Sequence, residues 1–139
     1  MKIEIVVEAT GIPLGMVTDS AKVSETLLGE VALVDTPATI EVPDQVPVIG
    51  DRAYDSDPLR ESMAKEGFIL IAPHRKNRVK AKTNDGRRLR RYKRRWIVER
   101  TFAWMHSYRR VVTRFEKRVD LYEGFVHLAC AFIAINRLL

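Results

Sequence analysis

Two acids in this chain sit where metal-dependent chemistry could use them. Glu99 lies in Tyr92-Lys93-Arg94-Arg95-Trp96-Ile97-Val98-Glu99-Arg100, with no other acid within a dozen residues on either side. A lone carboxylate in a field of arginines is either a structural ion-pair partner or a ligand for a metal ion beside a nucleic-acid backbone. Arg95, four residues earlier, offers the first role, an i,i+4 pair worth about 0.3 kcal/mol. Trp96, Phe102 and Trp104 predict a helix partly buried against a sheet. A buried acid without a full set of partners costs several kcal/mol, so Glu99 needs paired arginines or a metal, and the surroundings favour the metal. Asp51 follows the short apolar run Val46-Pro47-Val48-Ile49 and Gly50. The C-terminal end of a central parallel strand is where α/β sheets place ligands. Taken alone, Asp51 reads equally well as a turn acid or helix cap. Mg²⁺ (or Mn²⁺) prefers carboxylate and phosphate oxygens and suits Asp51 and Glu99 if the fold brings them together.

Helical spacing puts Tyr92, Arg95, Glu99 and His106 on one stripe. His106 is placed to contact phosphate or orient a water, or is a plain surface histidine. His74 and His127 show no metal-ligand spacing with Cys130, which argues against zinc. The sequence holds no Gly-rich phosphate loop and no nucleophile elbow. Cys130, the single cysteine, lies among apolar neighbours and reads as a small core residue.

The formal net charge is +6, but its distribution is more telling. Residues 1–73 hold five Lys/Arg against thirteen Asp/Glu, whereas residues 74–118 hold eighteen against three. A basic block this dense, interleaved with aromatics, is the footprint of a polyanion binder, since solvated faces usually mix both signs. The cations expected to track phosphates are Arg75, Lys76, Arg87, Arg88, Arg90, Arg91, Lys93, Arg94, Arg109 and Arg110. Trp96 and Trp104 read as core residues rather than base-stacking platforms.

The elements that must position these groups follow from periodicity and punctuation. Lys2–Val7 and Ile12–Thr18 predict a hairpin turning near Gly11. Ser24 is a candidate cap for a short helix, and residues 35–47, with Pro37, Pro43 and Pro47, predict a loop. Val46–Ile49 and Phe68–Ile71 predict strands flanking a helix that opens at Asp55-Ser56-Asp57-Pro58 and ends at Gly67, with Asp55 and Asp57 as its caps. That alternation predicts a parallel pair with a crossover helix and an α/β sheet. Residues 74–87 predict a polar linker or flexible loop. A long helix over about 88–108 and a closing helix over about 121–138 complete the chain, dividing it into 1–73, 74–87 and 88–139. No stretch approaches the roughly 20 apolar residues that span a bilayer, and the charged N-terminus is no signal peptide.

The segments Val48-Ile49-Gly50-Asp51-Arg52-Ala53-Tyr54-Asp55-Ser56 and Tyr92 to Trp104 together resemble the DDE transposases of bacterial insertion sequences, closest to the groups numbered four and five. Ser107-Tyr108-Arg109-Arg110 and Glu123 to Cys130 extend the resemblance over essentially the whole chain. It implies a partial RNase H-like α/β fold, a mixed sheet with flanking helices. Asp51 corresponds to the family's second catalytic aspartate. Tyr92, Arg95 and Glu99 correspond to the tyrosine, arginine and glutamate of its signature, with both spacings intact. A lysine seven residues after the glutamate is here His106. The first catalytic aspartate and its strand lie upstream of Lys2–Thr18 in the family, so the chain resembles a C-terminal portion that lacks that strand.

The resemblance implies DNA transposition, with transposon-end DNA as partner and Asp51 and Glu99 as two of three metal-holding carboxylates. This chain is then expected to bind DNA without cutting it alone. An upstream transposase fragment or a homo-oligomer is a further expected partner, and a bacterial cytoplasmic, nucleoid-associated location follows. Two other classes stand beside it. A non-enzymatic basic nucleic-acid-binding protein explains the charge but not the paired motifs. A metal-dependent nuclease of the same fold explains both carboxylates but needs a third acid in a suitable place.

Overall fold

The computed structural model describes residues 1–36, 43–83 and 85–139. Strands β1 (Lys2–Val7) and β2 (Pro13–Asp19) form the expected antiparallel hairpin, with Lys2 opposite Asp19. Gly11 turns the chain at φ +94°, the left-handed region that favours glycine. Helix α1 (Glu25–Asp35) follows, with Ser24 at its N-cap position but without a side-chain capping bond. Most of the proline-rich loop expected over 35–47 lies outside the described residues.

Strands β3 (Val46–Ile49) and β4 (Phe68–Ile71) pair in parallel, with Val46 opposite Phe68 and Ile49 opposite Ile71. Helix α2 (Asp57–Lys65) makes the crossover and ends at Gly67, φ +84°. Its cap is neither Asp55 nor Asp57. The Ser56 hydroxyl accepts from the Leu59 N–H at 3.4 Å, and Asp57 is the first helical residue. Asp55 is thereby released for the separate role described below.

The expectation of one mixed sheet is corrected. Among the described residues the strands form two separate two-stranded sheets. Side chains join the pairs instead of a backbone ladder: Val6 of β1 packs on the cluster of Leu33, Leu59, Met63 and Phe68 that covers the parallel pair. The Tyr54 hydroxyl also donates to the Glu4 carboxylate across the two sheets. Burial holds the Glu4 carboxyl above its ordinary value despite that bond.

The long helix expected over 88–108 is also broken, into α3 (Gly86–Leu89), a 3-10 segment Arg90–Arg95 and α4 (Trp96–Met105). The break coincides with Arg90-Arg91-Tyr92-Lys93-Arg94-Arg95. Helices α5 (Arg109–Val112) and α6 (Val119–Leu138) follow. The inner face of α6 carries Tyr122, Val126, Ala129, Cys130 and Ile133 into a core with Ile5, Met105 and Val111. Cys130 is buried, and burial pushes its thiol up to about 11. At 20 residues and mean hydropathy 1.3, α6 does reach bilayer-spanning length and composition, contrary to the expectation for this chain. Helices packed into protein cores meet the same description.

Candidate functional site

Glu99 and its neighbours stand on a helix anchored from below. Buried Thr101 donates its hydroxyl to the Gly11 carbonyl at 2.8 Å, and Arg100 donates to the Thr10 carbonyl at 2.7 Å. A Cβ added at Gly11 would stand 3.0 Å from Thr101 Oγ1 and 3.2 Å from the Trp104 ring, so the hairpin turn seats α4 by close approach. The Arg100 guanidinium lies between the rings of Trp96 and Trp104, 4.8 and 4.9 Å from their centroids.

On the opposite face the three signature residues form one connected chain. Arg95 donates to the Tyr92 hydroxyl at 3.1 Å and to Glu99 Oε1 at 2.6 Å, and its guanidinium sits 5.7 Å from the Tyr92 ring centroid. The spacing alone foretold this stripe. Burial did not follow. The Glu99 side chain is 57% exposed and the Trp96 residue 52%, so Glu99 does not bear the desolvation cost that argued for a metal. His106 is exposed at the C-cap of α4.

Asp51 follows β3 as expected, but its carboxylate accepts from the Ala53 N–H at 2.7 Å and caps the 3-10 turn Arg52–Tyr54. The cap and the strand-end position coexist. Strand β3 lies beside the segment Arg90–Arg95, so the elements bearing the two motifs are neighbours. Among the described residues, however, no group of three His, Cys, Asp or Glu side chains could hold a metal ion. As placed, each acid has one such partner, Asp51 a backbone amide and Glu99 the Arg95 guanidinium, which leaves carboxylate lone pairs over for a cation.

The basic residues divide into two kinds. Lys76, Arg87, Arg88, Arg90, Arg91, Lys93 and Arg94 are exposed. Arg75, Arg109 and Arg110 are exposed too but partly engaged. Arg75 donates to the Ala53 carbonyl at 2.8 Å, Arg109 lies over Phe115, and Arg110 bonds Glu116 at 2.6 Å. A run of outward cations from 87 to 95 is thus held between α4 and β3.

Asp55, expected only as a helix cap, has a larger role. Its side chain, 2% exposed, meets Arg60 at 2.8 Å, His74 at 2.9 Å and Arg78 at 3.3 Å, and accepts from the Arg75 N–H at 2.6 Å. Burial would raise this carboxyl, but the hydrogen bonds from Arg75, His74 and Arg60 outweigh it and hold it well below the usual carboxylate range. No local signal marks these partners, because three of them lie about twenty residues away across β4.

Comparison with known proteins decides the family. The family model of the transposase DDE domain matches residues 1–134. This chain belongs to the DDE transposases of insertion sequences. A Burkholderia cepacia protein named as a putative transposase for insertion sequence element IS402 is 35% identical over 143 residues, covering 99% of this chain and 64% of its own. A Brucella ovis protein named in the same way for element IS6501 is 39% identical over 92 residues, covering 62% of this chain and 65% of its own. The chain therefore spans less than two-thirds of the length of each of these relatives. No solved structure matches it.

Proposed function

We propose that this transposase chain serves DNA transposition by binding transposon-end DNA along the exposed cations at 75–94 and 109–110. The supporting observation is the outward run Arg87, Arg88, Arg90, Arg91, Lys93 and Arg94 beside the connected triad Tyr92–Arg95–Glu99. Cations on one stretch neutralise successive phosphates and release counterions, which supplies affinity without sequence preference. His106, at the end of the same helix, stands in this reading as a further phosphate-facing group in place of the family's lysine.

Asp51 and Glu99 are, in this reading, the chain's share of the family's carboxylates for metal-dependent strand cleavage and transfer. Among the described residues no third acid joins them, and in this reading the chain alone binds DNA without cutting it. An upstream transposase segment or a second copy is, in the same reading, the source of the third carboxylate, and the setting is the bacterial cytoplasm with its DNA.

The test is a mobility shift on duplex DNA carrying the element's ends. Replacing Arg87, Arg88, Arg90 and Arg91 together by Gln is expected to lower affinity at least about tenfold at moderate salt. Unchanged affinity overturns the reading. Nicking of the same DNA with Mg²⁺, lost on Glu99→Gln, would show the chain to be active alone.

A further inference from the structure

Asp55 is the most heavily engaged acid among the described residues, and it lies in the same motif as Asp51 without being one of the two proposed metal-holding carboxylates. Its four partners come from α2 and from residues 74–78, the start of the basic loop that leaves β4. Arg78, only 11% exposed, also bridges to Asp57 at 3.0 Å. The same guanidinium turns back to the Ala81 carbonyl at 2.8 Å, and the Thr83 N–H donates to His74 Nε2 at 3.0 Å. That last bond places the His74 proton on Nδ1, where it faces Asp55. The loop over 74–83 carries no helix or strand of its own. It is folded around one buried carboxylate, with Arg78 turned inward while Lys76, Lys80 and Lys82 remain exposed.

We propose that Asp55 is a positioning residue for DNA binding, a clamp that shapes the loop over 74–83 so that Lys76, Lys80 and Lys82 meet phosphates already ordered. This rests on the DNA-binding reading above. Its physical basis is pre-organisation: each rotamer-rich side chain or loop segment ordered before binding spares that cost on association. The proposal makes a prediction opposite in sign to simple electrostatics. Removing an acid from a polyanion binder, and freeing Arg60 and Arg78 from it, should tighten binding if charge alone matters. If Asp55 acts as a clamp, binding weakens.

The experiment compares wild-type protein with Asp55→Asn and Asp57→Asn. Duplex-DNA affinity is measured at fixed salt, tryptic cleavage is followed at Lys76, Lys80 and Lys82, and circular dichroism verifies the fold. The expected result is an affinity about tenfold weaker for Asp55→Asn, with faster cleavage confined to the loop, and a smaller shift in the same direction for Asp57→Asn. A folded Asp55→Asn protein that binds equally well or more tightly overturns the proposal. If Asp55→Asn does not fold, Asp57→Asn, at the exposed rim of the same cluster, decides by the same two criteria. Should wild-type protein bind no duplex at all, the DNA-binding reading falls first. The clamp is then judged by proteolysis alone, where unchanged cleavage overturns it.

Discussion

Asp55 and Glu99 are both acids among arginines, and the fold treats them in opposite ways. Asp55 is buried, touched by two arginines, a histidine and a backbone amide, and fixed from two elements. Glu99 is open to solvent and shares one Arg95 with Tyr92. A carboxylate so lightly held can change partners at little cost. A carboxylate held as Asp55 is cannot move without undoing the loop around it. Both acids lie in family-like motifs, yet the contacts give Asp55 a loop to hold and Glu99 a single arginine.

The largest effect expected from this contrast is on stability. Asp55→Ala leaves Arg60 and Arg78 without their buried partner and should cost about 3 kcal/mol, measured by urea unfolding. A cost below about 1 kcal/mol would place Asp55 on the same footing as Glu99. Next comes the seat of α4. Gly11→Ala forces a side chain into φ +94° and against Thr101, and should destabilise by about 2 kcal/mol. That variant should also detach the Glu99 helix without touching the Asp55 cluster, so the loop over 74–83 keeps its protease resistance.

The third effect is on pH. The folded-state carboxyl of Asp55 is depressed, so its contribution to stability is fully present above its ordinary value of 3.8. That contribution is lost as pH falls through the depressed value. Acid unfolding of wild-type protein should therefore steepen below about pH 4, and Asp55→Asn should flatten that limb. The smallest effect belongs to Glu99. Held by a single exposed i,i+4 pair, Glu99→Gln should change stability by no more than about 0.5 kcal/mol, a shift at the edge of detection by thermal melting. A loss comparable to that of Asp55→Ala would erase the contrast.

Much of this was legible in the chain. The hairpin, the strand–helix–strand crossover and the closing helix all follow local punctuation: Gly11, Ser56-Asp57-Pro58, Gly67 and the apolar period of α6. The Tyr92–Arg95–Glu99 link follows from helical spacing, which a 3-10 segment running into an α-helix still satisfies. Three features were not legible. The break at Arg90–Arg95 leaves no mark in the hydrophobic periodicity, which runs through it. Trp96 read as buried because aromatic residues at helical spacing usually pack inward, yet here Arg100 covers one face of the ring and the rest is exposed. Asp55 looked like a cap because its local context, Asp-Ser-Asp-Pro, suits one. Its actual partners Arg75 and Arg78 are about twenty residues distant, and nothing in either stretch names the other.

The measurement that tests the central claim most directly is duplex-DNA binding by the wild-type protein as a function of salt. Outward cations at 76–94 acting on phosphates predict that log K falls linearly with log salt, with a slope of about −5 or steeper, near −0.9 per phosphate neutralised. A shallow slope, or no binding at low salt, would contradict a phosphate-tracking surface.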